Sequence, residues 1–331
     1  MDKDSETDTS GEQQAEVAPE LAGRRFDQVL AELFPDYSRS RLQGWIRAGL
    51  ALLDGEVVQP RHKVRAGQQI VLSPQQEEST GAAAESIPLE VVFEDEHLLV
   101  INKPAGLVVH PGAGNPAGTL MNGLLHHAPE LEALPRAGIL HRIDKDTTGL
   151  LLVARSMAAH TRLVRDLEQR KIKREYRAVC YDRLTAGETV DAPIGRHPTQ
   201  RTRMAVTDKG KPAVTHFRVL ARFVAHSFIA CRLESGRTHQ IRVHMAWRKH
   251  PLVGDPVYGG RLRIPPGASE ELTRVLQTFK RQALHASDLG FVHPVSGEEL
   301  QFHAQLPDDL LGLLGALGGN ASIDYEGMQW P

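Results

Sequence analysis

The feature that most constrains this chain is the stretch from His141 to Arg155, HRIDKDTTGLLLVAR, in which a polar half precedes an apolar half. Residues 150–153 have the length and branching of a strand that is buried on both faces. The polar half places five charged or ionisable side chains in six positions. The residues between the halves, Thr147 to Gly149, are expected to form a turn. The pattern therefore predicts either a rigidly held functional loop or an ordinary surface loop before a core strand.

The composition is that of an ordinary globular protein. A chain of 331 residues with 24% charged and 41% hydrophobic residues is long enough for one full domain and a second small one. No apolar run approaches the length of a membrane span, and the acidic opening is unlike a signal or transit peptide. The two cysteines, Cys180 and Cys231, lie far apart, which argues against a disulfide framework. These features predict a cytoplasmic protein without membrane contact.

The net charge of −2 conceals an asymmetry along the chain. Residues 1–20 contain seven acidic residues and one lysine, so the remainder carries a charge of +4. The acidic opening, rich in Ser, Thr and Gln, predicts a disordered tail over residues 1–21. The rest of the chain is mildly basic and is compatible with a nucleic-acid partner.

Residues 22–73 are predicted to form a small domain of two helices and several strands. Apolar residues at helical spacing predict helices over residues 25–34 and 39–48. A tight Asp-Gly turn predicts a hairpin over residues 50–58, and residues 69–72 read as a further strand. The result is a compact unit of two helices on a small sheet.

The same unit carries basic residues that do not belong to the apolar stripe. On charge alone they predict a solvated cationic face. However, the segments SRSRLQGWIRAGLALLDGEVV and KVRAGQ resemble the S4 RNA-binding module. That resemblance implies that the basic residues contact RNA phosphates: Arg39, Arg41, Arg47, Arg61, Lys63 and Arg65.

A second domain is expected over residues 87–310. Residues 74–86 are polar and rich in Gly, Ala and Ser, and predict a flexible linker. Segments with strand-like alternation, interrupted by helical patterns, then predict an α+β domain with a mixed, mainly antiparallel sheet. Residues 311–331 are expected to form a C-terminal tail.

Three segments of the second domain are candidates for a catalytic site. They are the loop with Arg142 and Asp144, the KREY segment with Tyr176, and GRTHQIRVH over residues 236–244. Each also has a plain structural explanation; a tyrosine in a strand, for example, is more often a half-buried aromatic.

Metal and serine chemistry are both disfavoured by the sequence. His239 and His244 are five residues apart, which is not the spacing of a helical zinc pair, and no third ligand is in register. No serine lies in the strained turn that a nucleophilic serine needs. We therefore expect no metal and no cofactor.

Taken in order behind the S4 module, HRIDKDTTGLLLVA, KREY and GRTHQIRVH resemble the motifs of the RluA-type pseudouridine synthases, over residues 24–307. The resemblance implies a catalytic domain of the pseudouridine synthase fold. The segments VHPGAGNPAGT and PRAGILHR further resemble the branch of the family that acts on 23S rRNA. In that branch the substrate is the helix 69 stem-loop, in which three uridines are modified.

The resemblance also implies roles for individual residues. Asp144 matches the catalytic aspartate, Tyr176 the active-site tyrosine and Arg242 the basic partner of the aspartate. Arg142 matches the arginine that enters the RNA stack when the target uridine leaves it. One departure, Ile143 where Leu is usual, changes shape but not chemistry. Further substrate contacts are expected from the remaining polar residues of these motifs: His141, Arg237, His239 and Gln240.

These roles agree with the chemistry of the side chains. Pseudouridine formation detaches uracil from ribose, rotates it and rejoins it through carbon, and a carboxylate is able to attack either the ribose or the ring. Pairing with Arg242 would keep Asp144 ionised and aimed. Flipping the uridine costs a few kcal/mol; Arg142 fills the vacated space and Tyr176 stacks on the base.

The expected partner is 23S rRNA or the pre-ribosomal large subunit, bound by a monomer. Two alternatives stay open. The same reaction takes place at other rRNA uridines in sister branches of the family, and the S4 unit is also compatible with a noncatalytic RNA-binding factor of ribosome assembly.

Overall fold

The computed structural model describes residues 12–34, 37, 39–74, 82–112, 114–200 and 202–318, and only the backbone of residues 39–41. Within these residues, no helix has the length and apolar character needed to cross a membrane. The chain divides into two compact units, residues 1–80 and 81–331.

The N-terminal unit combines two helices with a three-stranded antiparallel sheet. The helices are α1 (Phe26–Leu33) and α2 (Arg39–Ala48), and the strands are β1 (Gln13–Glu16), β2 (Ala51–Leu53) and β3 (Gln69–Leu72). The strand order is β1-β3-β2. The core is formed by the apolar stripes of both helices and the inner face of the sheet, including Phe26, Leu30, Leu42, Ile46 and Ile70.

The predicted disordered tail is wrong for residues 13–21. Residues 13–16 form β1, which pairs antiparallel with β3, and Pro19–Leu21 is a short 3-10 helix. Val17 and Leu21 are buried in the core of the unit. These two apolar residues and the free edge of β3 hold the segment, although acidic residues surround it in the sequence. Residues 1–11 lie outside the described part of the chain.

The predicted hairpin over residues 50–58 does not form as a pair of strands. Asp54 and Gly55 have φ values of 51° and 80° and make a tight turn. After the turn only Glu56 forms a bridge, to Leu53, and the chain leaves the sheet with Val57 exposed. β2 finds its strand partner in β3 instead.

The C-terminal unit is built around one nine-stranded sheet. Its strands are β4 (Val91–Glu94), β5 (Leu98–Lys103), β6 (Thr148–Ala154), β7 (Lys173–Tyr181), β8 (Glu188–Asp191), β11 (Val214–Arg222), β12 (His226–Leu233), β13 (Leu284–Val292) and β14 (Glu299–His303). The strand order is β4-β5-β6-β13-β7-β12-β11-β8, with β14 paired on β13. Strands β9 (Ile194–Arg196) and β10 (Met204–Val206) form a separate hairpin.

The sheet confirms the predicted α+β class. β13 runs parallel to β6, while the other pairs of the sheet are antiparallel. Five helices accompany the strands: α3 (Leu120–His127), α4 (Met157–Glu168), α5 (Gln240–Trp247), α6 (Glu270–Thr278) and α7 (Asp308–Ala316). The mixed, mainly antiparallel sheet is therefore as the sequence predicted.

β6 is the strand predicted from the apolar half of the opening motif, and all seven of its residues are buried. Leu151 and Val153 belong to a core cluster that includes residues of α3 and α5. Leu150 and Leu152 belong to another cluster, with residues of α4. Because alternate residues of a strand face opposite sides, β6 is buried on both faces and holds the preceding loop firmly.

Gly149 lies inside β6 and not in the turn that the sequence predicted. Its φ is 112°, and a Cβ atom there would lie 2.1 Å from the carbonyl oxygen of Ala286 on β13. The glycine is therefore required by the close approach of two parallel strands. The turn itself comes earlier, where the Thr147 amide donates to the Asp144 carbonyl oxygen at 3.1 Å.

Two predicted boundaries also shift. α7 extends into the predicted C-terminal tail, because Leu310, Leu313 and Leu314 are buried in the core. Part of the predicted linker packs on α3, where Asn122 donates to the Ala83 carbonyl oxygen at 2.7 Å. Residues 75–81 and 319–331 lie outside the described part of the chain.

Candidate active site

Asp144 lies in the loop that leads into β6, and its side chain is 17% exposed. The loop is fixed from behind by Lys103, a fully buried lysine at the end of β5. Its ammonium group donates to the carbonyl oxygens of Lys145, Pro104 and Leu107 at 2.8, 2.7 and 3.0 Å. Burial lowers the pKa of Lys103 to about 8. The backbone beside Asp144 is therefore held by a charge-assisted donor.

Arg242 in α5 links Asp144 to a second carboxylate. Its Nη1 donates to Asp144 Oδ2 at 2.9 Å. Its Nε and Nη2 form a bidentate pair with Asp255 at 2.8 and 2.9 Å. The fork with Asp255 fixes the plane of the guanidinium group, and this fixes the direction in which Nη1 meets Asp144.

Asp255 is itself held ionised by its surroundings. Burial alone would raise the pKa of Asp255, but the bonds from Arg242 and from the amides of Tyr258 and Val257 bring that pKa below its usual value. Burial alone would likewise lower the pKa of Arg242, but Asp255 and Asp144 raise it. The three groups thus form a hydrogen-bonded chain from Asp255 through Arg242 to Asp144.

His239 and Tyr258 complete the other side of Asp144. The backbone amide of Met204 donates to the Tyr258 hydroxyl at 3.0 Å, and that hydroxyl lies 2.8 Å from His239 Nδ1. Burial lowers the pKa of His239. In a neutral imidazole whose Nδ1 accepts from Tyr258, Nε2 carries the proton. His239 Nε2 lies 3.9 Å from Asp144 Oδ1.

Tyr176 lies in β7 and is 6% exposed. Burial raises the pKa of Tyr176, and the charge of Asp144 adds to this effect while Arg174 opposes it. The phenol is therefore protonated at neutral pH, and the side chain lines the pocket described below.

These side chains surround a pocket. Asp144, Tyr176, His239 and Arg242 line it, so the structure brings together the three separate motifs. The exposed Arg142 lines both this pocket and a neighbouring groove. His141 lies on the groove side, where its Nε2 accepts from the Leu152 amide at 3.2 Å. Burial lowers the pKa of His141 to about 3, so its imidazole is neutral.

Comparison with known proteins places this geometry in a family. A family model for RNA pseudouridylate synthases matches residues 97–247, and a model for the S4 domain matches residues 24–70. A ribosomal large subunit pseudouridine synthase D from Xanthomonas campestris pv. campestris is 56% identical over 316 residues, which cover 96% of each chain. A protein of the same name from Vibrio parahaemolyticus is 57% identical over 89% of this chain and 91% of its own.

The chain belongs to the RNA pseudouridylate synthase family. Among solved structures, the human RNA pseudouridylate synthase domain containing 4 is similar with a TM-score of 0.55 and 25% identity, over 69% of this chain and 93% of the human chain. Membership confirms the resemblance inferred from the three motifs, and it identifies the chain as an enzyme of RNA modification with an S4 domain.

Two members of this synthase's site were not predicted from the sequence. Asp255 and Tyr258 lie in the loop PLVGDPVYGG after α5, outside the three motifs. The only signal in the sequence is one acidic residue in an otherwise apolar loop, which by itself is not specific. Their importance appears only when the fold brings this loop to Arg242.

Gln240 was expected to contact substrate; it lines the pocket, and its side chain is also held by hydrogen bonds within the chain. It is buried, and its amide oxygen accepts from the Ser235 hydroxyl and the Arg237 amide at 2.9 and 3.0 Å. Its amide nitrogen donates to Val214 and Thr215. Gln240 therefore holds the loop that presents Arg237, which is half-buried, lines the pocket and donates from Nε to the Pro212 carbonyl oxygen at 3.1 Å.

His244 is buried, with its ring nitrogens 2.8 Å from the Thr215 hydroxyl and 2.9 Å from the Ala192 carbonyl oxygen. It is a core histidine and does not face the pocket formed by the other motif residues. Among the described residues there is no group of three or more His, Cys, Asp or Glu arranged to hold a metal ion.

The predicted RNA-docking residues of the S4 unit are only partly described. The side chains of Arg39 and Arg41 lie outside the described residues. Arg47 and Arg61 are exposed and line a concave surface together with Arg25, Gln43, Gln59 and Pro60. Lys63 and Arg65 are exposed in the same loop as Arg61. The unit thus presents a cationic concavity.

Proposed function

We propose that this enzyme converts uridines in the helix 69 stem-loop of 23S rRNA to pseudouridine, with Asp144 as the nucleophile. The S4 unit supplies affinity for structured RNA, and the pocket around Asp144 receives one flipped-out uridine.

One observation carries the assignment of Asp144. Its Oδ2 accepts from Arg242 at 2.9 Å, whereas Nε2 of the neutral His239 lies 3.9 Å from Oδ1, beyond hydrogen-bond length. Oδ1 is therefore free to attack, on a carboxylate that Arg242 orients. Because Asp255 clamps the arginine through two separate bonds, Asp144 retains a partner throughout the reaction.

The reaction conserves every atom of the nucleoside. The bond between C1′ and N1 breaks, a bond between C1′ and C5 forms, C5 gives up its proton and N1 gains one. Asp144 serves as a temporary covalent partner, either of the ribose carbon or of the uracil ring, and is released unchanged at the end. His239, whose Nε2–H faces the carboxylate, adds a neutral donor beside the nucleophile.

Two further residues prepare the substrate. Arg142 is exposed at the rim of the pocket, which suits insertion into the RNA stack in place of the departing base. Tyr176 lines the pocket wall and offers its ring to the extruded uracil. Both contacts act on any flipped uridine, so they contribute rate more than sequence choice.

The choice of 23S rRNA is supported by the relatives, which are named for the large ribosomal subunit and match this chain from end to end at more than half identity. The choice of helix 69 is supported by the segments VHPGAGNPAGT and PRAGILHR, which resemble that branch of the family. The alternative proposal is that the same reaction takes place at other uridines of rRNA.

The chemistry is tested with 23S rRNA that carries tritium at carbon 5 of its uridines. Wild-type enzyme is expected to release tritium to water, because C5 exchanges its hydrogen for a bond to ribose. Asp144→Asn is expected to release none, while Asp146→Asn, two residues along the same loop, retains activity. Release by Asp144→Asn at the wild-type rate would refute the nucleophile, and no release by wild type would refute the function.

The target is tested by mapping pseudouridines in rRNA from cells with and without this gene. Loss of modification confined to helix 69 is the expected result. Loss at other uridines with helix 69 intact would assign the enzyme to a sister branch. Unchanged modification at every site would favour a noncatalytic role.

A further inference from the structure

A second cavity adjoins the catalytic pocket. It is a groove of about 520 Å³, and it shares Arg142, Arg174, Gly236 and Arg237 with the pocket around Asp144. The proposed chemistry on uracil does not use it. Its remaining walls come from the turn near Arg136, the end of α4 and the end of β12.

Arg174 lies at the junction of the two cavities and lacks a partner. It is in β7, two residues before Tyr176, and is only 7% exposed. No hydrogen bond or ion pair joins its guanidinium group to any described residue, and its Nε is buried without an acceptor. The buried Arg242 and Arg281, in contrast, each form bidentate pairs with a carboxylate. A buried, unpaired guanidinium is costly in a folded chain, so its partner is expected to be an anion from outside the chain.

Other polar atoms of the groove are also unsatisfied. His141 Nδ1 and His110 Nε2 are buried without partners. Since His141 Nε2 accepts from Leu152, the proton of the neutral ring lies on Nδ1 and is available for donation. Burial lowers the pKa of His110 to about 4, so it too is neutral. The Nδ1–H donor of His141 beside the cation of Arg174 suits an oxygen-rich anion.

The backbone of the groove rim is strained in a way that presents another cation. Arg136, Ala137 and Gly138 have φ values of 55°, 50° and 74°. A Cβ atom at Gly138 would lie 1.9 Å from the Ala154 carbonyl oxygen, so only glycine allows this turn. Such strain in non-glycine residues is concentrated at functional sites. Here it places Arg136, an exposed residue, in the groove wall.

The charge of the groove is positive. Its walls include five arginines and two acidic residues: Arg136, Arg142, Arg170, Arg174, Arg237, Glu168 and Glu234. Glu234 is already paired with Arg170 and with His216. The groove therefore suits a polyanion that continues from the pocket, which is the shape of an RNA backbone.

We propose that the groove binds the RNA backbone next to the flipped uridine, and that Arg174 forms an ion pair with a phosphate adjoining the target nucleotide. The proposal rests on the proposed function for the identity of the polyanion. Arg174 reaches both cavities, so a phosphate bound there is joined to a base in the pocket. The arginine fixes the register of the RNA strand along the groove, so that the correct nucleotide reaches Asp144.

The pairing is tested by a cycle of charge removal on both partners. An RNA stem-loop of helix 69 sequence is prepared with one neutral methylphosphonate at each position around the target uridine in turn. Binding is measured for wild type, Arg174→Gln and the control Arg183→Gln, an exposed arginine that lines neither cavity. At one position, the neutral methylphosphonate is expected to weaken RNA binding by wild type about tenfold. The same substitution should change RNA binding by Arg174→Gln less than about twofold. Arg183→Gln should behave as wild type.

Equal losses for wild type and Arg174→Gln at every phosphate would overturn the proposal. If Arg174→Gln does not fold, Arg136→Gln is used instead, because Arg136 is exposed. Lower RNA affinity and a salt slope reduced by about one would support RNA binding in the groove. Unchanged affinity would overturn it. Binding is read without turnover, so the two proposals separate. If Arg174 and a phosphate are coupled in binding but wild type releases no tritium, only the proposed reaction is refuted. If wild type releases tritium but the losses of binding are additive, only the proposed role of the groove is refuted.

Discussion

Among single residues, Asp144, the proposed nucleophile, depends on a second carboxylate that lies behind it. Asp144 contacts one atom of Arg242, whereas Asp255 takes the two that define the plane of the guanidinium group. Without Asp255 the arginine would rotate toward Asp144 and draw its carboxylate away from the pocket. Asp255 is thus a positioning residue that acts through Arg242.

Asp255→Asn should lower kcat by about 100-fold, the loss typical of a reactive group displaced by about 1 Å. KM should change little, since Asp255 is buried behind Arg242 and does not line the pocket. Steady-state tritium release measures both constants, with the exposed Asp208→Asn as the control. A rise in KM at unchanged kcat would show that Asp255 serves binding and not the position of Asp144.

Among the secondary-structure elements, the site depends on the parallel pairing of β6 and β13. β6 carries Asp144 on the loop at its start, and β13 runs parallel to it at Gly149 and Ala286. The loop is tied to the segment before β13, where Gln282 donates to the Thr147 hydroxyl at 2.9 Å. Thr148 Oγ1 lies 2.8 Å from His285 Nδ1 on β13. The position of the catalytic loop is therefore set by β13 as much as by β6.

Gly149→Ala should destabilise the fold by about 3–5 kcal/mol, because its Cβ would overlap the Ala286 carbonyl and its φ of 112° is strained for alanine. Gly290→Ala is the matched control. It lies on β13, and the nearest atom to its Cβ would be 3.7 Å away, so a cost below about 1 kcal/mol is expected. Urea unfolding of both variants measures the difference. Equal losses of unfolding free energy in the two variants would contradict the importance of the close approach of β6 and β13 at Gly149.

At the scale of the whole molecule, burial of neutral histidines makes stability depend on pH. Burial lowers the pKa of His141 to about 3, and burial lowers the pKa of His110 and of His285 to about 4. In the unfolded chain each would bind a proton near pH 6.5. Between pH 6.5 and 4 the unfolded state therefore holds more protons, and stability falls as the solution is acidified.

The free energy of unfolding should thus drop by a few kcal/mol from pH 7 to pH 4.5, on the scale of about 1.4 kcal/mol per unit of pKa shift. The lowered pKa of Asp255 acts only at more acidic pH, so it does not produce this loss. Urea unfolding across this range provides the measurement. His285→Gln should flatten the curve; a curve as steep as that of wild type would exclude His285 as a source.

The S4 unit should govern affinity without governing chemistry. Replacing Arg47 and Arg61 with Gln should weaken RNA binding uniformly across sequences and reduce the salt slope by about two, since each cation neutralises one phosphate. The kcat at saturating RNA should stay unchanged. Binding titrations at several salt concentrations test this, alongside the corresponding Arg39→Ala and Arg41→Ala changes. An unchanged slope would mean that the cationic concavity does not face RNA.

Local sequence patterns were enough to predict the class of the fold and the buried strand β6, and they selected the three motifs that line the pocket. Local patterns suffice for these, because strand periodicity and polar motifs are written in neighbouring residues. The same local reasoning placed Gly149 in a turn and residues 13–21 in a tail, since neither the partner strand nor the core they pack against is visible in the sequence.

Only the tertiary structure decided how the motifs act together. Asp144, Tyr176 and Arg242 are separated by tens of residues, and β13, whose polar residues His285, Ser287 and Asp288 obscure its alternation, sets the position of the catalytic loop. Asp255 and Arg174 show the same limit in opposite ways. Asp255 is paired with Arg242, whereas the proposed role of Arg174 rests on the absence of a partner for its guanidinium group among the described residues. Neither condition is visible in the sequence, because both depend on how distant segments pack together.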